Sequence, residues 1–265
     1  MGMFSWALVA IFAFSAATQS TLLSVEDIQK QLAADLQGKV LTLRAFAKSS
    51  HLEFDENGQP KKQFEFGSWT VYSQFVVKKI SVTASRLRIS GNRIIHHYDR
   101  KANALIASPS DMTVDLDVDI KKAADISAAL PKIFAGKEGL LPYVPSYWQQ
   151  YLSGKKDAPP APDPSTSVKT VRVGGNIMGA KIIKQVIPKY APEAKNFLLE
   201  GVVALFAEIS ETGDIENLSI VGPAGAGFDE SAVEAVSQWK YSPTLLDGKP
   251  VRVVTTITVN YQFSR

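Results

Sequence analysis

The chain has 265 residues, a formal net charge of +3 and no cysteine; 45% of its residues are hydrophobic and 21% are charged. This balance is typical of a globular protein with one large or two ordinary domains. The positive charge is small and scattered, so we expect no nucleic-acid partner. The lack of cysteine excludes thiol catalysis, disulfides and cysteine-ligated metals.

The amino terminus is apolar, and residues 1–23 carry no charged side chain. Residues 3–17 have the length of a secretory signal, and small residues precede a possible cleavage point at Thr18. Residues 3–23 are also just long enough for an uncleaved membrane anchor. Both alternatives place the rest of the chain outside the cytoplasm, either secreted through the signal peptide or tethered to a membrane.

A Pro-rich stretch divides the remaining chain. Residues 153–167 contain four prolines and no large apolar side chain, which is typical of an extended linker with a reach of roughly 40 Å. We therefore predict a first domain at residues 24–152 and a second at residues 168–265.

The first domain is predicted to be β-rich. It opens with an amphipathic helix at residues 25–36, for which Ser24 is the predicted cap. Strand signals follow in residues 40–43, 51–54, 64–66, 70–80, 87–89, 93–98 and 113–120. Residues 121–152 have a helical pattern that prolines interrupt. No feature of this domain indicates its function.

Three clusters in the first domain are better explained by structure than by a site. His96 and His97 are neighbours on a strand and point to opposite faces, so they cannot easily share a metal ion. Asp115, Asp117 and Asp119 line one strand face, and a solvated face is favoured over a calcium site. An aromatic group at helical spacing is predicted to be packing: Tyr143, Tyr147, Trp148 and Tyr151.

The second domain begins with a predicted strand in residues 168–173. Pro192 favours a helix start, residues 202–209 and 215–221 read as strands, and Thr212 and Gly213 lie in a hairpin turn between them. The glycine-rich segment at residues 222–228 lacks the pattern of a phosphate-binding loop and is predicted to be a plain loop. Asp229 is the predicted N-cap of a helix whose last buried residue is Trp239.

The chain then ends in a predicted strand of unusual length. Pro243 stops the helix, Asp247 and Gly248 make a turn, and residues 251–263 alternate as a strand of about 13 residues. Such a strand outruns its neighbours and leaves unpaired backbone groups, which favours the addition of a partner strand. The alternative is a strand that is frayed or covered by the domain's own loops.

These motifs together resemble the TonB carboxy-terminal domain over residues 173–263. The positions that carry the resemblance are Pro188, Tyr190, Glu193–Ala194, Gly201–Val203, Thr212–Ile215, Asp229, Ala232, Ala235–Val236, Trp239–Tyr241, Pro243, Gly248–Val251 and Phe263. The resemblance implies a compact α+β domain, with two helices packed on a small antiparallel sheet.

The resemblance also implies a function and a site. Members of the family act in the periplasm, bind an extended peptide of TonB-dependent outer-membrane receptors as an added strand, and transmit force from a motor of ExbB and ExbD type. The implied partner-strand binding edge is Thr255, Thr256, Ile257, Thr258, Val259, Asn260 and Tyr261. Trp239, Tyr241 and Pro243 are implied to belong to the core.

Two interpretations of function follow from these observations. The chain is either a TonB-like transducer or adapter that supports transport across the outer membrane, or an envelope scaffold that forms a homodimer through its long last strand. An enzyme is not expected, because His51, His96 and His97 are the only histidines and no nucleophile motif accompanies them. We expect no cofactor and no metal.

Overall fold

The computed structural model describes residues 24–99, 101–136, 138–154, 171–172 and 181–262. The predicted signal peptide or anchor and nearly all of the predicted linker lie outside these residues. Within the described residues, no helix is long and apolar enough to cross a membrane. The chain divides between Tyr143 and Val144 into two compact units.

The first unit begins with the predicted helix, which is confirmed. The Ser24 hydroxyl accepts a hydrogen bond from the Asp27 amide at 3.1 Å, and the Asp27 carboxylate accepts one from the Ser24 amide at 3.3 Å. The elements of this unit are α1 (Val25–Leu36), β1 (Val40–Thr42), β2 (His51–Phe54), α2 (Trp69–Tyr72), β3 (Gln74–Val82), β4 (Arg86–Asp99), β5 (Ala104–Asp119) and α3 (Ala123–Ile133).

Five strands form one sheet in the order β1-β3-β4-β5-β2. All neighbours are antiparallel except β2 and β5, which are parallel. Helices α1 and α3 contribute to the same apolar core as the strands, through side chains such as Leu32, Leu36 and Leu130. The β-rich prediction for the first domain therefore corresponds to a sheet with helices packed against it.

The predicted strand boundaries differ from the structure at several places. Residues 64–66 form no strand and make only an isolated bridge, between Phe66 and Ala47, and β5 begins at Ala104 rather than at residue 113. Residues 70–80 do not start as a strand, because the Ser68 hydroxyl accepts from the Thr70 amide at 3.1 Å and begins α2. Residues 87–89 and 93–98 are one strand, since Gly91 allows β4 to approach β3. A side chain at Gly91 would place its Cβ 2.2 Å from the Val76 carbonyl oxygen.

A buried arginine joins three segments of the first unit. Arg93 is 1% exposed, and its guanidinium donates to the carbonyl oxygens of Tyr72 at 2.9 Å, Ala47 at 3.0 Å and Ser49 at 2.8 Å. Burial lowers the pKa of Arg93 to about 10, and the Tyr72 ring lies 4.9 Å from the guanidinium carbon. Arg93 therefore remains charged at neutral pH and ties β4 to the chain around α2 and β2.

His96 lies on the same strand in an apolar setting. Its Nε2 shares a hydrogen bond of 3.0 Å with Gln74 Oε1, and its ring lies 5.2 Å from the Trp69 ring. Burial lowers the pKa of His96 to about 4, and the neighbouring His97 contributes to the same shift. The ring is therefore neutral in the folded protein at physiological pH.

The second unit contains the predicted strand–helix pattern of the carboxy-terminal domain. Its elements are α4 (Ser146–Leu152), β6 (Val171–Arg172), β7 (Ile182–Lys184), α5 (Pro192–Asn196), β8 (Gly201–Ile209), β9 (Ile215–Gly222), α6 (Phe228–Val236), β10 (Lys240–Tyr241), β11 (Thr244–Leu246), β12 (Lys249–Val251) and β13 (Val253–Tyr261). The main sheet has the order β6-β13-β8-β9. The α+β class is confirmed.

Helix α4 belongs to the second unit and not to the first domain, where the sequence predicted it. The sequence assigned residues 121–152 to the first domain, whereas α4 packs against β9 in the second unit. The reason is the side chain of Trp148, which is 0% exposed and needs apolar partners that the second unit supplies.

Protonation of His96 should destabilise the first unit. An unfolded histidine titrates near pH 6.5, whereas folded His96 titrates near 4. The unfolded state therefore binds the proton first, and stability falls as the pH drops from about 6.5 to 4, by up to about 3 kcal/mol.

We expect His96→Gln to remove this part of the pH dependence. Urea unfolding of the full chain at pH 7, 5 and 4 measures the difference between the two proteins. An identical loss of stability in both proteins would show that His96 does not contribute.

Candidate strand-binding edge

The seven predicted site residues lie on β13, and their two sides are paired very differently. Toward β8 the pairing is continuous, from Val253 opposite Ile209 to Tyr261 opposite Gly201. On the far side, β6 pairs in parallel with Val253 and Val254 only. Among the described residues, no strand pairs with the far side of residues 255–261.

The predicted length of this strand is wrong. Both β13 and β8 have nine residues, so β13 does not outrun that partner. Val251 instead pairs with Thr244 in the β11–β12 hairpin, and the chain breaks from strand geometry at Arg252. Excess length therefore does not account for the edge, which is unpaired on its far side among the described residues.

Side chains of the edge alternate between the two faces of the sheet. Ile257, Val259 and Tyr261 are buried, while Thr256, Thr258 and Asn260 are exposed and Thr255 is half-buried, so the outward-facing row is small, polar and uncharged.

Three aromatic rings fix the end of β13. Tyr261 stacks on Phe228 with ring centroids 4.4 Å apart, and Tyr190 meets both rings edge-on, at 5.1 Å from Phe228 and 5.9 Å from Tyr261. The Tyr261 hydroxyl donates to the Phe228 carbonyl oxygen at 3.1 Å, and burial raises the pKa of Tyr261 to about 12. The motif residue Tyr190 therefore supports the edge from beneath.

Asp229 holds the loop before α6 and is not the predicted N-cap. Helix α6 begins at Phe228, after Gly227 with φ of 84°. The buried Asp229 carboxylate accepts from the amides of Ala224 at 2.9 Å and Gly225 at 2.7 Å. Burial raises its pKa well above the ordinary value. The Asp229 carboxylate therefore binds two backbone amides of the glycine-rich loop.

The segment before β13 is anchored by aromatic side chains. Trp239 lies just beyond the end of α6, is 7% exposed, and donates from its indole nitrogen to the Val186 carbonyl oxygen at 2.8 Å. Tyr241 is also buried. Pro243 is exposed, so its predicted place in the core is wrong; it lies on the connection between β10 and β11.

Within the acidic row of the first unit, Asp117 is buried and paired with arginine, so the predicted solvated face is wrong at this residue. Arg88 donates to both oxygens of Asp117, at 2.7 and 2.8 Å, and Asp117 is 4% exposed. This pairing lowers the pKa of Asp117. In the described part of the chain, no group of three or more histidine and acidic residues is arranged to hold a metal ion.

Comparisons with known proteins identify the domain that carries the edge. The family model described as the Gram-negative bacterial TonB protein C-terminal matches residues 187–263. Protein TonB of Vibrio cholerae serotype O1 is 36% identical over 73 residues, which cover 27% of this chain and 30% of that protein. Residues 187–263 therefore form a domain of the TonB C-terminal type. We call residues 187–263 the TonB-type domain.

The match leaves most of this chain and most of the Vibrio protein unmatched. The chain spans less than a third of the length of the Vibrio protein. The solution structure of the Pseudomonas aeruginosa TonB C-terminal domain is 19% identical, with a TM-score of 0.28, and covers 38% of this chain and 98% of the solved one.

Two elements next to the TonB-type domain were not foreseen as neighbours of its sheet. The predicted strand at residues 168–173 contains β6, but its pairing with β13 is a long-range contact that no local pattern reveals. Trp148 was recognised only as a packing residue. The one local signal for its contact with this sheet is the group of aromatic residues directly before the Pro-rich stretch.

Gly213 should be the most sensitive turn position of the TonB-type domain. Its φ is +86°, and a Cβ there would lie 1.9 Å from the Tyr241 carbonyl oxygen. We expect Gly213→Ala to lower the free energy of unfolding by more than about 2 kcal/mol, because strain and a backbone clash combine.

Gly248→Ala is the matched control for this substitution. Gly248 has φ of +78°, but no atom lies within 4 Å of the position that a Cβ would take there. Only the conformational strain remains, so we expect a loss of about 1 kcal/mol. Urea unfolding of the full-length variants measures both values, and equal losses would contradict the contact with Tyr241.

Proposed function

We propose that the chain is a TonB-like transducer or adapter of the cell envelope. Its TonB-type domain would bind an extended peptide of a TonB-dependent outer-membrane receptor as an added strand, in support of transport across that membrane. The observation that carries this proposal is the unpaired side of residues 255–261 within the described structure.

The chemistry of this edge supports strand addition. Exposed edges are commonly protected from other chains by Lys, Pro or bulges. Residues 255–261 contain no charged residue, no proline and no glycine, and they are rich in threonine and β-branched residues. An incoming peptide would gain backbone hydrogen bonds along this row, while Thr256, Thr258 and Asn260 would contact its side chains on the exposed face.

Family membership of the second domain supports the receptor as the partner. The proposal places the domain in the periplasm, with a motor of ExbB and ExbD type as a further partner of a membrane-tethered form. It includes no catalysis and no cofactor. The predicted division into residues 24–152, a linker at residues 153–167 and residues 168–265 remains a proposal, with the change that α4 is docked on the second part, so that the linker runs from α4 to β6.

The alternative occupant of the same edge is a second copy of the chain. Two β13 edges could pair with each other and form a homodimer, which is the arrangement that a scaffold without energy transduction would use. Because the edge carries no charge, electrostatic repulsion excludes neither a receptor peptide nor a second copy of the chain. The binding experiment therefore has to distinguish these two occupants.

Disulfide trapping tests the edge directly, because the chain has no cysteine of its own. We expect Thr258→Cys to cross-link to a receptor-derived extended peptide that carries one cysteine, in a single preferred register. Val221→Cys is the matched control: Val221 is 40% exposed and lies on β9, the strand at the other end of the sheet.

The outcomes separate the two proposals. Cross-linking of the peptide to Thr258→Cys but not to Val221→Cys supports strand addition. A Thr258→Cys dimer that forms without peptide and excludes it supports the scaffold. Equal labelling of both positions would show that β13 has no special role.

The mass of the mature protein tests the tether. Expression in a Gram-negative host, followed by mass measurement and membrane fractionation, should give a full-length membrane-bound product if residues 3–23 are an anchor. A soluble periplasmic product that begins near Thr18 would exclude contact with the motor through this segment and leave an adapter or a scaffold.

A further inference from the structure

Helix α4 lies outside the family match but packs on the TonB-type domain. The match starts at residue 187, whereas α4 spans Ser146–Leu152. It packs against β9, the end of the sheet opposite β13 and β6. The surface made by β9 and α6 is therefore covered by a piece of chain that the TonB family match does not include.

One side chain dominates this contact. Trp148 is 0% exposed, and its indole N–H donates to Glu230 Oε1 on α6 at 2.9 Å. The Tyr151 ring meets the Trp148 ring edge-on at 6.1 Å. Burial raises the pKa of Tyr147, and the carboxylates of Glu230 and Asp229 raise it further. The inner side of α4 is thus aromatic and faces an acidic end of α6.

Helix α4 cannot be stable without this surface. It has seven residues, and its N-cap, Pro145, makes no side-chain capping hydrogen bond. Isolated helices of this length do not persist in water, so folding of α4 and its docking are one event. The aromatic contact centred on Trp148 has to offset the ordering of the whole helix, so we expect docking to be reversible.

The attachment points on either side of the Pro-rich stretch belong to the same unit. The chain leaves α4 at Leu152, beside β9, and returns at Val171 in β6, which pairs with β13 at the other side of the sheet. While α4 is docked, residues 153–170 therefore connect two parts of the second unit. They add no length to the connection with the first unit.

We propose that the β9–α6 surface is an intramolecular docking surface whose occupant is α4, and that α4 acts as a latch that releases under tension. Release would add residues 144–170 to the connection between the two units. The extended length gained would be up to roughly 97 Å, at about 3.6 Å per residue. The source of tension rests on the proposed transducer function, whereas the docking and its release do not.

Force spectroscopy of the full chain tests the latch. Handles attached at Ser24→Cys and Gln262→Cys place both units and α4 between the points of pull. We expect a discrete lengthening at low force, before either unit unfolds, with a size somewhat below the contour length of residues 144–170. Trp148→Ala should lack this step, because its connection is already extended.

Two further variants serve as controls for Trp148→Ala. Gln149 is exposed on the same helix, so Gln149→Ala should retain the step at nearly the same force. Trp148→Phe keeps an apolar ring but loses the bond to Glu230, so its step should occur at lower force. An unchanged step in Trp148→Ala, or no step before unfolding in the unmodified chain, would overturn the latch.

The latch and the binding edge can fail independently. Because α4 and β13 contact different strands of the sheet, Trp148→Ala should still trap a peptide when combined with Thr258→Cys. Peptide trapping without a release step would reject only the latch. A release step without peptide trapping would reject only strand addition. Retained trapping would also show that Trp148→Ala folds.

Discussion

The second unit depends on the unequal pairing of one strand. β13 pairs on one side with β8 along all nine of its residues, and on the other side, among the described residues, with β6 at its first two. Continuous pairing with β8 orders the backbone of β13. If a partner strand binds to its far side, as proposed, an edge that is already ordered loses little conformational entropy.

The packing beneath the sheet keeps that edge in place. Tyr190, Phe228 and Tyr261 form one ring cluster, so the start of the domain, the start of α6 and the end of β13 are joined. Asp229 adds a buried carboxylate that closes the loop before α6 through two amides. Polar atoms are accommodated there because each finds a partner, which is the condition for burying them.

In the first unit, a buried cation, Arg93, satisfies backbone groups of the chain around α2 and β2. Arg93 satisfies three backbone carbonyl groups from two segments, and these carbonyl groups take the place that a carboxylate partner would have in a buried ion pair. These three hydrogen bonds order the irregular chain around α2, where few backbone groups pair with a neighbouring strand.

The sequence by itself determined the features that depend on local pattern. Helix α1 and its cap, the β8–β9 hairpin, the turn at Gly248 and the alternation of residues 255–261 all follow from side-chain type and spacing, because periods of 3.6 and 2 are properties of the backbone. The motif positions also identified the family of the second domain.

Only the tertiary structure decided which edges are paired. The pairing of β6 with β13, the docking of α4 on β9 and the role of Arg93 all depend on residues far apart in the chain. A local pattern specifies that a strand or a buried ring forms, but not which distant surface receives it. That choice is made by the shape and the unsatisfied groups of the folded core.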